Sequence, residues 1–75
     1  MLKKRSFTIQ GHRTSVALEP EFWAAFDEAV AHDRITPTGW ITQLDEARST
    51  PLASAIRVEL LRRAGLKLKQ VQPDQ

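Results

Sequence analysis

Hydrophobic and polar positions divide the chain into one alternating stretch and three helical ones. From Thr14 to Leu18 the pattern has a period of two: Thr14, Val16 and Leu18 fall on one side, and Arg13, Ser15 and Ala17 on the other. That period is the signature of a half-buried strand. Residues 1–11 alternate more weakly, with Phe7 and Ile9 set against Ser6, Thr8 and Gln10. Gly11-His12 would fold this segment back on 13–18 as a hairpin, with Gly at the first central position of a type II′ turn. The other reading is a basic arm lying along a surface. The pattern leaves both open.

At Pro20 the periodicity changes. Proline suits a first helical position, and the flanking Glu19 and Glu21 suit the helix dipole. Phe22, Trp23, Phe26, Ala29 and Val30 then recur at helical spacing, which predicts a helix over 20–33. A second helix is predicted over 37–48. Thr36 is its N-cap, Pro37 its first residue, and Ile35 packs on Trp40 as a staple; Trp40, Ile41, Leu44 and Ala47 form the buried stripe. Gly39 lowers propensity in its first turn. Ser49-Thr50-Pro51 repeats the Thr-Pro cap and opens a third helix over 52–64, apolar around most of its circumference. Gly65 is placed as its C-cap, and 65–75 as a flexible tail. The expected fold class is mainly α with one N-terminal β-strand.

Three features point to a second copy of the chain. The strand at 13–18 needs a hydrogen-bonding partner, and the simplest is the same strand of another molecule. Three large aromatics on the first helix need cover. The third helix is apolar on most sides, more than 75 residues bury easily. The chain has no cysteine, so no disulfide adds to a small core, and two histidines alone make no structural zinc site. No metal and no cofactor is expected. The expected assembly is an intertwined homodimer sharing a two-stranded antiparallel ribbon. Thr14, Val16, Leu18, Phe22, Phe26, Ile56 and Leu60 form its core, Arg57 pairs with an acid across the dimer, and Trp23 and Trp40 sit at core spacing.

Charge refines this picture through its distribution. The net charge is only +2. Residues 1–13 carry Lys3, Lys4, Arg5 and Arg13 without an acid, residues 19–46 are acidic, and residues 47–69 return to basic. Such polarity suits a polyanion, although an ordinary solvated surface has the same composition. No apolar run is long enough for a membrane span, and no apolar region follows the basic start as in a secretory signal; the expectation is a cytoplasmic protein. There is no Gly-rich phosphate loop, no zinc-protease motif and no nucleophile beside a base, so the chain is not read as an enzyme.

The order of elements, with Arg-Thr-Ser-Val-Ala-Leu-Glu-Pro-Glu-Phe-Trp at 13–23 and Leu-Ala-Ser-Ala-Ile-Arg-Val-Glu-Leu-Leu at 52–61, resembles the ribbon-helix-helix family of small bacterial and phage DNA-binding proteins, which includes the methionine and Arc repressors. It is most similar to a subgroup with an extra short helix, here 36–48. The resemblance covers residues 12–64. It implies a transcriptional regulator, a repressor, whose dimeric ribbon enters the major groove of double-stranded DNA, with two dimers side by side on repeated half-sites. Arg13, Ser15 and Ala17 would then face base edges. Lys3, Lys4, Arg5 and His12 would meet phosphates, as would Ser49 and Thr50 at the start of the last helix. The competing function is an antitoxin or adaptor whose tail binds a protein partner.

Overall fold

A computed structural model describes residues 1–71, with side chains described as far as Gly65. The order is β1 (Lys3–Ile9), β2 (His12–Leu18), α1 (Pro20–Asp33), α2 (Pro37–Ala47) and α3 (Leu52–Val71). The two strands pair antiparallel within the one chain, from Lys3 opposite Leu18 to Ile9 opposite His12.

The hydrogen-bonding partner of 13–18 is therefore the chain's own amino end. The strand at 13–18 needs no second copy to satisfy its hydrogen bonds on this edge. A two-residue turn, Gln10-Gly11, makes this possible. Both residues have positive φ, 51° and 82°, the pairing of type I′, whose twist matches that of the strands. The turn sits one residue earlier than the Gly11-His12 expectation, because Gly serves as the second central residue and Gln10 takes the left-handed conformation before it. The change slides the register by two positions in total, so every side chain stays on its expected face.

α1 begins where the strand ends. The Glu19 carbonyl accepts from the amides of Phe22 and Trp23 at 2.9 and 3.1 Å, and Pro20 occupies the first turn, where its missing donor costs nothing. The helix stops at Asp33 because Arg34 is left-handed (φ 59°) and returns its amide to the Val30 and Ala31 carbonyls. α2 opens with Thr36 as its cap: Oγ1 accepts from the Gly39 amide at 3.0 Å. Glycine is suited to that position, since an added Cβ would meet the same oxygen at 3.0 Å. α3 does not repeat this arrangement. Pro51 is the residue before the helix, and its carbonyl accepts from Ala55 at 2.9 Å. α3 also continues past Gly65, the expected cap, as far as Val71. One glycine costs a helix only about 1 kcal/mol, and the Leu and Lys residues after it favour the helix. The last four residues of the expected tail lie outside the described residues.

The core is continuous. Val16, Leu18, Phe7 and Ile9 from the hairpin meet Trp23, Phe26 and Ala29 of α1, Trp40 and Ile41 of α2, and Ile56 and Leu60 of α3. An aromatic chain runs through it: Phe7 to Trp23 at 6.2 Å between centroids, Trp23 to Phe26 at 5.3 Å and Phe26 to Trp40 at 5.2 Å, the last two edge-on. Edge-on pairs at such distances add to burial because the positive ring edge meets the negative face. Hence the α1 aromatics find most of their cover inside one chain, from β1 and α2. The exception lies along α3. Val58 and Leu61 are 62 % and 65 % exposed, and beside them half-buried Phe22 and Ala25 of α1 line a shallow groove with Leu60, Leu61 and Ala64.

Candidate nucleic-acid interface

The hairpin has two unlike faces. Lys3, Arg5, Phe7 and Ile9 of β1 share the inner side with Thr14, Val16 and Leu18 of β2; Phe7, Ile9, Val16 and Leu18 are buried there. The outer side carries Lys4 opposite Ala17, Ser6 opposite Ser15, and Thr8 opposite Arg13. All six are exposed except Ala17, which is half-buried. The outer face is thus a flat, polar, two-stranded surface ending in a cation at two diagonal corners. The Ser6 and Ser15 hydroxyls lie 3.3 Å apart at its middle.

Electrostatics sharpen the contrast between this face and the helices. Arg57 pairs with Glu19 at 3.0 Å, Arg48 with Asp45 at 2.6 Å, and Arg62 with Glu59 at 2.7 Å. Arg63 binds both Asp33 and Glu59, at 2.8 and 3.0 Å. Among the residues whose side chains are described, the Lys and Arg residues that make no ion pair are Lys3, Lys4, Arg13 and Arg34, of which Lys4 and Arg13 lie on the outer hairpin face. The expected pairing of Arg57 across a dimer is replaced by an intrachain one. Glu19, drawn out of a capping role, ties the start of α1 to α3 instead. Its own backbone amide and Arg57 together hold its carboxyl below the usual range.

Asp33 is the junction of the helices. Its carboxylate accepts from Arg63 at 2.8 Å, from the Trp40 indole at 3.1 Å, and contacts His32 Nδ1 at 3.3 Å. The Arg63 bond, then that to His32, lowers its pKa to about 2. The Arg63 cation also lies 5.6 Å over the Trp40 ring.

The residues expected to contact phosphate separate into groups. Lys3 and Lys4 are exposed on β1, and His12 is exposed at the start of β2. Arg5 is committed elsewhere. It points inward, donates two hydrogen bonds to Asp27 at 2.9 and 3.2 Å, and lies 4.5 Å over the Trp23 ring. Asp27 keeps Arg5 firmly protonated, and Arg5 lowers the Asp27 pKa in return. With the Trp23 indole donating to the Lys3 carbonyl at 2.8 Å, Arg5 locks β1 onto α1. Ser49 and Thr50 are exposed in the connector before α3, where Arg48 donates to the Thr50 carbonyl at 2.6 Å. The hairpin tip reaches this end of the molecule, since the Gln10 amide donates to Glu46 at 3.1 Å.

Of the expected dimer core, Val16, Leu18, Phe26, Ile56 and Leu60 are buried within a single chain, while Thr14 and Phe22 are half-buried. The residues that sequence reasoning left off the polar face are Lys4, Ser6 and Thr8 acting with Arg13 and Ser15. Weak alternation in 3–9 was their only signal, and it becomes informative once the register places them opposite β2.

Among DNA-binding proteins, a β-ribbon is one of the elements that enter a groove. The sequence model of the ribbon-helix-helix domain matches residues 2–64, and the chain belongs to that family, one of DNA-binding and regulatory domains. The match begins at Leu2, so it takes in β1 as well as β2. No curated protein and no solved structure gives a significant match. No helix among the described residues is long and apolar enough to cross a membrane.

Proposed function

We propose that the chain is a sequence-specific DNA-binding transcriptional regulator of the bacterial cytoplasm, a repressor that acts by occupying its operator. The observation that carries this reading is the outer hairpin face: hydroxyls and unpaired cations on the side away from the core, beside helices whose arginines are nearly all matched to acids. Two strands span about the width of the major groove. Arg13 donates to guanine, Ala17 offers a methyl contact, and Lys3 and Lys4 supply sequence-independent attraction to phosphates. A second copy of the chain covers the apolar face of Val58, Leu61 and the adjoining groove of Phe22 and Ala25, so that each homodimer carries two hairpins. That face supports the assembly because a soluble domain rarely leaves large aliphatic side chains clustered in water.

The test is selection of bound fragments from genomic DNA, followed by titration of the selected duplex at several salt concentrations. Arg13→Ala is expected to weaken binding by roughly tenfold or more and to relax one position of the site. Equal affinity of the wild type and Arg13→Ala for every duplex refutes readout by the ribbon.

A further inference from the structure

We propose that Arg5 and Asp27 are positioning residues for DNA reading: their ion pair, closed against Trp23, fixes the angle at which the hairpin stands on α1 and with it the selectivity of the domain for its own site. The inference rests on the DNA-binding reading above and deepens it.

The inner side of β1 changes character along its length. Towards the turn it carries Phe7 and Ile9, both buried, and towards the amino end it carries Lys3 and Arg5. Apolar burial has no direction, so Phe7 and Ile9 hold the turn half of the hairpin against the helices with little control of its tilt. At the other half the contacts are polar and directional. Arg5 donates to both Asp27 oxygens, at 2.9 and 3.2 Å, and its guanidinium carbon lies 4.5 Å over the Trp23 ring. The Trp23 indole donates in turn to the Lys3 carbonyl at 2.8 Å. Trp23 and Asp27 are four residues apart, on one face of α1. One turn of α1 thus grips two alternate residues of β1, and it does so with a planar fork on a carboxylate, a geometry that sets orientation as well as distance.

The outward residues ride on these anchors. Lys4 lies between Lys3 and Arg5 and opposite Ala17 of β2. A contact to a base edge must be held within about 0.5 Å, whereas a lysine reaches phosphate through a flexible stem. Tilting the hairpin therefore costs base contacts and spares phosphate contacts, so the loss falls on selectivity and not on the charge-driven part of affinity. Arg5 and Asp27 themselves are spent on each other, on the side of the hairpin that meets α1.

The experiment uses the full chain, the duplex selected above and a scrambled duplex of the same length and composition, with both affinities measured well below the melting temperature. The readout is the ratio of the two affinities. A variant that is merely less stable, or less dimeric, loses the same active fraction on both duplexes and leaves the ratio where it was. Asp27→Asn tests the sign, because removing an acid makes the chain more attractive to any polyanion. It should bind the scrambled duplex at least as tightly as the wild type, yet its ratio should fall by roughly fivefold, the lower end of what one base contact contributes. Arg5→Lys keeps the charge and loses the fork, and its ratio should fall as well. Combining Arg5→Ala with Asp27→Ala should lower the ratio no further than either change alone, since the two act as one unit. A wild-type ratio in both Asp27→Asn and Arg5→Lys overturns the positioning role and leaves the DNA reading standing. A wild type that binds both duplexes equally overturns the DNA reading itself, and this inference with it.

Discussion

Removing Arg5 separates two roles that its position in a basic amino-terminal run would merge. Its guanidinium makes two hydrogen bonds to Asp27 and stacks over Trp23, with side-chain exposures of 42 % for Arg5 and 55 % for Asp27. An exposed ion pair contributes about 0.2–1 kcal/mol, and bidentate geometry places this one toward the upper end. A half-exposed cation over an aromatic ring adds about 0.5–1 kcal/mol. Arg5→Ala is thus expected to lose about 1–2 kcal/mol, and since 1 kcal/mol moves the melting point of a domain this size by about 4–8 °C, the drop is roughly 5–15 °C. Urea unfolding followed by tryptophan fluorescence measures it directly, because Trp23 sits under the guanidinium. Asp27→Ala and the double variant close a thermodynamic cycle, in which a coupling of about 0.5–1 kcal/mol isolates the ion pair. On DNA, Lys4→Ala should reduce the slope of log affinity against log salt by about 0.9 per lost phosphate contact, whereas Arg5→Ala should leave the slope unchanged. An Arg5→Ala variant that melts like the wild type and flattens the salt dependence as Lys4→Ala does would place Arg5 on phosphate instead of on Asp27.

Three further substitutions probe other parts of the fold. Phe26 is fully buried among Phe7, Trp23 and Trp40, so Phe26→Ala should remove about 3–5 kcal/mol, a large share of the ~4–11 kcal/mol available to a chain of this length; an unfolding midpoint near that of the wild type contradicts the single-chain core. The Asp33 carboxyl is held at about 2 against an ordinary 3.8, chiefly by Arg63. A depressed folded pKa stabilises fully above the ordinary value and loses that contribution as pH falls through the depressed one. Asp33→Asn should therefore be less stable than the wild type at neutral pH, with the gap closing between pH 4 and 2 in parallel acid titrations; a gap of constant size argues against the ion pair as its source. Leu61→Glu sets a charge on the exposed apolar face of α3, and sedimentation equilibrium should show a dimer for the wild type and a single chain for the variant, the same mass for both being the contrary result.

Most of the local structure is legible in the sequence because its causes are local. The period of two at 14–18, Pro20 after the strand, the Thr36-Pro37 cap and the 3.6-residue spacing of Phe22, Phe26 and Ala29 each follow from side chains within a turn or two of one another. They place the helix starts and the strand, and they identify Trp23 and Trp40 as core. The outward set of Arg13, Ser15 and Ala17 follows as well, because alternation alone assigns a face whatever strand lies alongside.

The tertiary structure decided what depends on contacts distant in sequence. Whether β2 pairs with β1 or with another molecule turns on the Gln10-Gly11 turn and on Phe7 and Ile9 reaching the helices; the free energy of that closure lies in the assembled core. It also decided that Arg5 serves Asp27 and Trp23 rather than a phosphate, and that Arg57 meets Glu19 38 positions away. A charge in sequence has no partner until the chain brings one within a few ångströms, and so its role is a property of the fold. The ribbon face was half visible for the same reason: periodicity gives the side a residue points to, and only the register says which residue stands opposite.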